Sequence, residues 1–588
     1  MATSTKPSVD TSQHPFKGRT VSVVNNLSRE EQWYLYQKTR ELKEAIKAGN
    51  NLAPYRLSCP EVAVYTIFME DSTRTKESFR NAAEFHGLKV NVFDAKTSSF
   101  QKNETITDTV KMLCGYSIGQ SIFVIRSKME GVCTWLEEAI TEYTSMRGYP
   151  RASFINAGDG RHEHPTQEFL DEFSFLEQLE WRTEKIHLAL IGDLFHGRTV
   201  HSKVDGLGLY DEVEVDLIAP GELALPKNYE DRMKLAGFVV RKFNSLEEYL
   251  AQPKVAKLWY FTRLQLERMG DKVLEKSQDL RSAVTFQRQF IPLLPAGTKF
   301  FHPLPRDARY PTLPFWLDKT EYNGWDLQSQ NGYFTRIVLL GMLGGHLGSD
   351  FKPSLAYEGL ITHLVSPQLP RVFPEGMDED EDLLPPTTPL KLASDFIREI
   401  KAIDDEKESR SVEVGLAPLQ NGMIIDHLAE GQSIEQIWAL MSMVRSVLKL
   451  ETVGGHGVFR SKSGDEKANG LISVPDFDID KWDRSQLKKL AAMAPGSTLN
   501  IIRGGEIKQK YQLQVPPRIY NFSDISCKNT ACISHPSNLQ REVPPFFIRA
   551  PSKDDAFNSW AFVCKYCEHV YGFWQIWDYK GITLSYAV

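Results

Sequence analysis

Apolar residues in the first 350 positions come in short runs that alternate with amphipathic stretches. The run 62–68 (VAVYTIF) leads into 72–87 (STRTKESFRNAAEFHG), whose apolar positions recur at helical spacing, and then into 88–94 (LKVNVFD). The same alternation recurs as 121–127 (SIFVIRS) followed by 132–140 (VCTWLEEAI). It restarts at 186–193 (IHLALIGD), with a helix-like stretch after 197–202 (GRTVHS). Strand, loop and helix in alternation predict an α/β fold of two doubly wound parallel-sheet subdomains. The expected split lies near residue 165, giving subdomains 21–165 and 166–329, the first closed by a C-terminal helix near 330–350.

The pattern then changes. Residues 373–390 (FPEGMDEDEDLLPPTTPL) are acidic and Pro-rich and read as an exposed linker within 366–410. The stretch 391–405 (KLASDFIREIKAIDD) has helical spacing. From about residue 411, short β-like runs follow: VEVGLAPL, NGMIIDHL, KLETVGG, NGLISVPD and STLNIIRGG. The amphipathic segment SIEQIWALMSMVRSVL sits among them. This predicts an α+β domain over 411–512, followed by a small β-rich domain over 513–588. Residues 1–20 read as a disordered extension.

Charge and composition narrow the possibilities. Sixty-nine Lys and Arg face 76 Asp and Glu, a net charge of −7 in 588 residues. That balance gives no general attraction to nucleic acid or an anionic membrane. No apolar run is long enough to span a bilayer, and residues 1–20 lack the apolar stretch of a secretory signal. A cytoplasmic protein is expected. Of seven cysteines, Cys59, Cys114 and Cys133 are scattered, and Cys527, Cys532, Cys564 and Cys567 are clustered. The pairs Cys527-x4-Cys532 and Cys564-x2-Cys567 have the spacing of a four-thiolate structural zinc site rather than of disulfides in a reducing compartment.

Five motifs carry candidate chemistry. Asp71-Ser72-Thr73-Arg74-Thr75-Lys76 lies between an apolar strand and an amphipathic helix, where backbone N–H groups, the helix dipole and Arg74 make an anion site. Asn156 to Gln167 (NAGDGRHEHPTQ) is a Gly-rich turn that ends with His164 and Gln167 on one face of a helix. His162 and His164 have no third partner at zinc spacing. Ile191 to Ser202 places Arg198 and Thr199 at a helix start, where a carboxylate would be attracted. Phe261-Thr262-Arg263-Leu264-Gln265 and Phe301-His302-Pro303-Leu304-Pro305-Arg306 complete the set. Each alone also fits a solvated cap, turn or surface arginine.

Together, in this order, the motifs resemble the aspartate and ornithine carbamoyltransferase family across about residues 20–350. The resemblance implies that Ser72, Thr73, Arg74 and Thr75 bind the phosphate of carbamoyl phosphate. It implies that His164 and Gln167 meet the carbamoyl group and that Arg126, in Phe123-Val-Ile-Arg126, serves as a second phosphate and carbonyl arginine. Ser98 and Lys102, in Thr97 to Thr105, look like the loop that enters a neighbouring subunit's site. A homotrimer, or a higher multiple of trimers, is thereby implied. Pro303 stands where ornithine enzymes carry Cys, and Arg263-Leu264-Gln265 resembles the arrangement that binds a second carboxylate. With Arg198, this favours L-aspartate over ornithine. Gln167 and Leu304 would orient the reactants, and no catalytic metal or organic cofactor is expected.

The C-terminal part resembles the regulatory chain of aspartate carbamoyltransferase. The resemblance rests on Gly422 to His427, Asn469 to Ile472, Pro516 to Ile519 and the cysteine pairs. It implies zinc and a site for ATP, CTP or UTP at Asp426, His427 and Lys510. Ser473 and Asn469 stand where the family has lysines, so nucleotide regulation is expected to be weakened or lost. The readings left open are an ornithine-type enzyme, an inactive assembly scaffold and a zinc-ribbon nucleic-acid binder. The full set of cationic positions argues against the scaffold, and the chain's acidity argues against the nucleic-acid binder.

Overall fold

The computed structural model describes residues 14–57, 59, 61–94, 104–265, 277–353, 397–400, 419–450, 454–460, 467–477, 484–520, 522–550 and 561–578. Residues 1–13, residues 95–103 with Ser98 and Lys102, the stretch 373–390 and most of VEVGLAPL lie outside them. The chain divides into two compact units, the first up to Pro367 and the second from Gln368, with Ala531–Ile533 and Asn538–Gln540 grouping with the first.

The first unit holds two parallel sheets. One has the order β2-β1-β3-β4, from β1 (Ala63–Phe68), β2 (Lys89–Asp94), β3 (Ser121–Ser127) and β4 (Ser153–Asp159). The other has the order β7-β6-β5-β8-β9. Its strands are β5 (Lys185–Ile191), β6 (Glu212–Ile218), β7 (Val239–Phe243), β8 (Leu258–Phe261) and β9 (Lys299–Phe301). In each sheet the chain starts centrally and winds to one side before the other, so each has a point where strand order reverses. Clefts outside the strands' carboxyl ends at such points are where ligands bind in this architecture.

The connecting helices are α1 (Arg29–Ala48), α2 (Thr73–Phe85), α3 (Ile106–Cys114), α4 (Val132–Arg147), α5 (Pro165–Gln178), α6 (Arg198–His201) and α7 (Lys203–Gly206). Then come α8 (Lys227–Leu235), α9 (Leu246–Leu250), α10 (Ser277–Val284) and α11 (Trp325–Leu343). Ser28 and Glu31 form a reciprocal capping box that starts α1, and Gly49 in the left-handed region ends it. Strand β5 is buried from Leu188 to Ile191 and Trp259 of β8 is fully buried, which is why these runs read as continuously apolar.

Three differences from expectation have clear physical causes. The split at 165 would place α5 with the second sheet, whereas α5 packs on β4 and along α11. It is buried from Pro165 to Leu176, charged residues included. Within the expected N-terminal extension, Phe16 is fully buried against Tyr34 and Phe351, because an aromatic ring of that size contributes most when removed from water. Inside the expected linker, Ile397–Glu399 form strand β10, pairing antiparallel with a sheet edge rather than continuing a helix.

The second unit contains an antiparallel sheet of order β10-β15-β14-β11-β13-β12. Its other strands are β11 (Asn421–Leu428), β12 (His456–Arg460), β13 (Ala468–Pro475), β14 (Thr498–Arg503) and β15 (Glu506–Leu513). The strand near KLETVGG begins only at His456, after Gly454, whose φ of 126° suits glycine. Helices α12 (Ile434–Val447) and α13 (Arg484–Met493) accompany the sheet, the first started by a Ser433 and Gln436 capping box. A four-stranded antiparallel sheet follows, from β16 (Arg518–Tyr520), β17 (Phe546–Arg549), β18 (Ala561–Cys564) and β19 (Val570–Gly572). Among the described residues no helix is long and apolar enough to cross a membrane.

Gly192, at the end of β5, has φ 114° and its added Cβ would lie 2.6 Å from Thr262 Oγ1 and 2.7 Å from the Thr262 carbonyl oxygen. Gly192→Ala is therefore expected to destabilise the first unit by about 2–5 kcal/mol, from backbone strain and overpacking combined. Urea unfolding of the two proteins monitors this. An unchanged midpoint would show that the β5–β8 crossing has slack.

Candidate functional site

A cavity of about 1110 Å³ lies in the first unit, lined by residues that follow the carboxyl ends of both sheets' strands. The first sheet contributes Glu70–Thr75 after β1, Arg126 of β3, and Gly160 and His164 after β4. From the second come His196–Thr199 after β5, Thr262, Arg263 and Gln265 after β8, and His302–Asp307 after β9. Helices α5 and α11 add Gln167, Gln328 and Arg336. Segments more than 230 residues apart in sequence thus line one cavity.

The Ser72–Thr75 segment opens α2. Ser72 sits at the N-cap in extended backbone without capping its own helix, leaving first-turn N–H groups for an incoming anion. Arg74 is desolvated, which lowers its pKa from the usual arginine value. Arg126 Nη1 donates to the Ala157 carbonyl at 3.0 Å. Arg198 Nη1 donates to the Gly160 carbonyl at 3.0 Å and to Glu70 Oε2 at 3.2 Å. Arg126 Nε is 3.7 Å from the same Glu70 oxygen.

Asp193 shapes the second sheet's contribution. Its Oδ1 accepts the His196 N–H at 2.9 Å and its Oδ2 the Gln265 N–H at 3.0 Å. Gln265 Nε2 donates to the His196 carbonyl at 3.3 Å, so the loops after β5 and β8 are tied together beside Arg198 and Arg263. In the loop after β9, Leu304 N–H donates to His302 Nδ1 at 2.8 Å, and Leu304 adopts φ 50°.

Two histidines in the cavity stay neutral. Burial, reinforced by Arg126, Arg198 and Arg336, holds His164 well below the ordinary imidazole pKa. Burial with Arg306, Arg74 and Arg263 lowers that of His302 to about 3. A neutral imidazole offers one N–H donor and one acceptor, which suits hydrogen bonding to a carbonyl better than proton delivery.

Of the residues singled out in the sequence, the cavity gathers Ser72, Thr73, Arg74, Thr75, Arg126, His164, Gln167, Arg198, Thr199, Arg263, Gln265, Pro303 and Leu304. Ser98 and Lys102 fall outside the described residues. Glu70, Lys128, Gln328 and Arg336 also line it and were not singled out. Glu70 had a visible signal, an acid one residue before the Asp71–Lys76 motif. Gln328 and Arg336 had none, since they sit in a helix with buried residues around it.

Towards the C-terminus, the Sγ atoms of Cys527, Cys532, Cys564 and Cys567 all lie within 4.8 Å of one another, all four residues buried. Cys527 and Cys567 sulfurs are 3.7 Å apart. A tetrahedron with zinc–sulfur bonds of ~2.3 Å has edges of about 3.8 Å. Tyr571 hydroxyl lies 3.0 Å from Cys527 Sγ and accepts the Asn529 N–H at 2.9 Å, leaving its proton for the sulfur. Asp426 and His427 lie on β11, and Lys510 on β15, in the antiparallel sheet.

Comparison with known proteins places these sites in context. Residues 19–177 match the family model of the aspartate/ornithine carbamoyltransferase carbamoyl-P binding domain. Residues 414–514 match that of the aspartate carbamoyltransferase regulatory chain allosteric domain, and 517–577 that of its metal binding domain. Protein PyrBI of Thermotoga maritima is 46% identical over 567 residues, spanning 96% of this chain and 99% of that protein. Its Treponema denticola counterpart is 44% identical over 574 residues, spanning 97% and 99%. The aspartate carbamoyltransferase catalytic subunit of Thermococcus kodakarensis is 33% identical over 335 residues, 57% of this chain and 99% of that subunit. Among solved structures, aspartate transcarbamoylase from Trypanosoma cruzi is similar at 29% identity and TM-score 0.48, covering 56% of this chain and 97% of that one.

The neutral histidines generate a prediction. His302 has a folded pKa of about 3, and His201 and His86 about 4, against about 6.5 unfolded. A depressed folded pKa means full stability above pH ~6.5 and progressive loss as pH falls toward 4, because the unfolded chain binds protons that the folded one refuses. Each such histidine adds a slope of up to about 1.4 kcal/mol per pH unit. Urea midpoints at pH 7, 6 and 5 should fall steadily, and a flat profile would contradict neutral buried imidazoles.

Proposed function

The chain belongs to the aspartate/ornithine carbamoyltransferase family, in the form that joins catalytic and regulatory chains, and on that premise we propose how its cavity transfers the carbamoyl group of carbamoyl phosphate to the α-amine of L-aspartate. The products are N-carbamoyl-L-aspartate and phosphate, the chemistry that commits carbamoyl groups to pyrimidine synthesis. The observation that carries the assignment is the placement of Arg198 and Arg263 in one cavity with Arg74 and Arg126. Two further arginines beyond those needed for a phosphate match a substrate with two carboxylates. An ornithine side chain would need a free acid. Glu70 already faces Arg126 and Arg198, and Asp307 accepts the N–H groups of Arg309 and Tyr310 at 2.8 Å.

The aspartate amine attacks the carbamoyl carbon, forming a C–N bond and placing negative charge on the carbonyl oxygen. Thr75, Arg126 and the N–H of neutral His164 are the donors assigned to that oxygen, an electrostatic effect of several kcal/mol in such sites. As the tetrahedral intermediate collapses, the C–O bond to phosphate breaks and the amine proton passes to a phosphate oxygen. Arg74, with Ser72, Thr73 and the α2 N-terminus, holds the departing phosphate. Arg198 and Thr199 hold one substrate carboxylate, and Arg263 and Gln265 the other. Gln167 and the backbone at Pro303 and Leu304 orient the reactants, so much of the acceleration is positioning. Ser98 and Lys102 fit as the contribution of a neighbouring copy, which makes the working enzyme a trimer or a multiple of trimers.

The four cysteines fit a structural zinc ion, held as four thiolates with Tyr571 donating to one of them. The β11–β15 sheet supplies Asp426, His427 and Lys510 for a nucleotide effector, and the replacement of family lysines by Asn469 and Ser473 leaves that site weak.

Purified protein should carbamoylate L-aspartate and leave L-ornithine unreacted. Arg263→Ala should raise the KM for aspartate about tenfold or more, as loss of a charge-assisted hydrogen bond of about 1.5–3 kcal/mol requires. Equal activity with ornithine would overturn the assignment. Metal analysis should find about one zinc per chain, and Cys564→Ser should lose it and unfold the β16–β19 sheet.

A further inference from the structure

Beneath the cavity floor lies a group of charged side chains that the reaction does not touch. Asp171 of α5 and Lys203 of α7 are both fully buried and pair at 2.8 Å. Lys203 also donates to the buried Glu168 at 2.5 Å. The other oxygen of Asp171 accepts Gln167 Nε2 at 2.8 Å and Gln328 Nε2 at 2.6 Å. Gln328 Oε1 in turn accepts the His302 N–H at 2.9 Å. Gln167, Gln328 and His302 all line the cavity.

A carboxylate paired with an ammonium group accepts hydrogen bonds and cannot donate them. Both glutamine amides must therefore turn their nitrogen toward Asp171. That leaves Gln167 Oε1, an acceptor, as the end turned away from Asp171, and commits Gln328 Oε1 to the loop after β9. We infer that Asp171, held by Lys203, is a positioning residue that sets the amide orientation of Gln167, and through it the enzyme's preference for a carbamoyl donor bearing N–H groups. The inference rests on the carbamoyl-transfer reading of the cavity. A carbamoyl group presents an NH₂ that needs an acceptor. An acetyl group of the same shape presents a methyl that gains nothing from one. Asp171 also ties the two ends of the site together, since the oxygen that holds Gln167 also reaches His302 through Gln328.

The test compares carbamoyl phosphate with acetyl phosphate as donors to L-aspartate. In Asp171→Asn the new amide can donate, so Gln167 can rotate and present N–H instead of C=O. We expect kcat/KM with carbamoyl phosphate to fall about 10- to 100-fold, and that with acetyl phosphate to change less than about threefold. Discrimination between the donors then collapses, a result that a merely structural role would not produce. Equal losses with both donors, or an unchanged ratio, would overturn the inference. Gln328→Met keeps the buried ion pair and provides a second reading should the first variant not fold. It should raise the KM for aspartate about fivefold or more and leave donor discrimination unchanged. Loss of donor discrimination in Gln328→Met would also count against Asp171 acting through Gln167. Failure of the wild-type protein to carbamoylate aspartate would instead refute the functional reading itself.

Discussion

A helix buried on every side must settle its own charges, and the catalytic unit is organised around that requirement. Glu168, Asp171 and Glu172 of α5 are all fully buried, and Lys203 is the cation bonded among them. Burial raises the pKa of Glu168 well above the carboxylate range and pushes that of Glu172 up to about 7, with Lys203 pulling both down. One ammonium cannot balance three ionised carboxylates closed off from solvent, so Glu168 and Glu172 between them retain a proton near neutrality. The arrangement tolerates little displacement. An added Cβ on Gly206 would lie 2.0 Å from Glu168 Oε1. Helix α5 is thereby fixed in register between β4 and α11, and its first turn carries His164 and Gln167 into the cavity.

The same logic of compensation governs the cavity. A chain of net charge −7 concentrates Arg74, Arg126, Arg198, Arg263, Arg306 and Arg336 around one space. Glu70 offsets part of that charge at Arg126 and Arg198. Burial, reinforced by this cationic field, keeps His164 and His302 unprotonated. Arginine, effectively always charged, supplies the positive field of the cavity, while the two histidines stay neutral across physiological pH. Substrates with two phosphate and two carboxylate charges would complete this neutralisation, so affinity and catalysis draw on one electrostatic source.

How much of this was legible in the sequence depends on the range of each interaction. The parallel strands were visible because each is a buried apolar run bounded by turns, and the motifs at their carboxyl ends follow directly in sequence. Arg74, His164, Arg198 and Arg263 could therefore be found by their local context. The Asp171–Gln328 contact joins residues 157 apart, and Lys203 meets Asp171 across 32. Nothing local in Glu168-Phe169-Leu170-Asp171-Glu172 distinguishes it from a solvated helix face, and only tertiary packing turns it inward. The helical spacing of 391–405 misled for the opposite reason. Ile397 is buried by pairing with β15, more than 110 residues later, and that edge bonding outweighs local propensity.

The register of the antiparallel sheet bears on the regulatory part in the same way. Ser473 pairs with Ile424, Ile424 with Asn500, and Asn500 with Lys510, so these four form one row across β13, β11, β14 and β15. Asp426 lies two residues further along β11, on the same face. Ser473 and Asn500 are buried and small, whereas Lys510 is half-buried. Asn469 lies four residues from Ser473 on the same side of β13. A lysine at position 473 would bring a second cation into Lys510's row. With serine there, that row carries one cation, at its β15 end. The sheet packs with Ser473 and Asn469 buried in those places, so the fold of this domain does not depend on cations there.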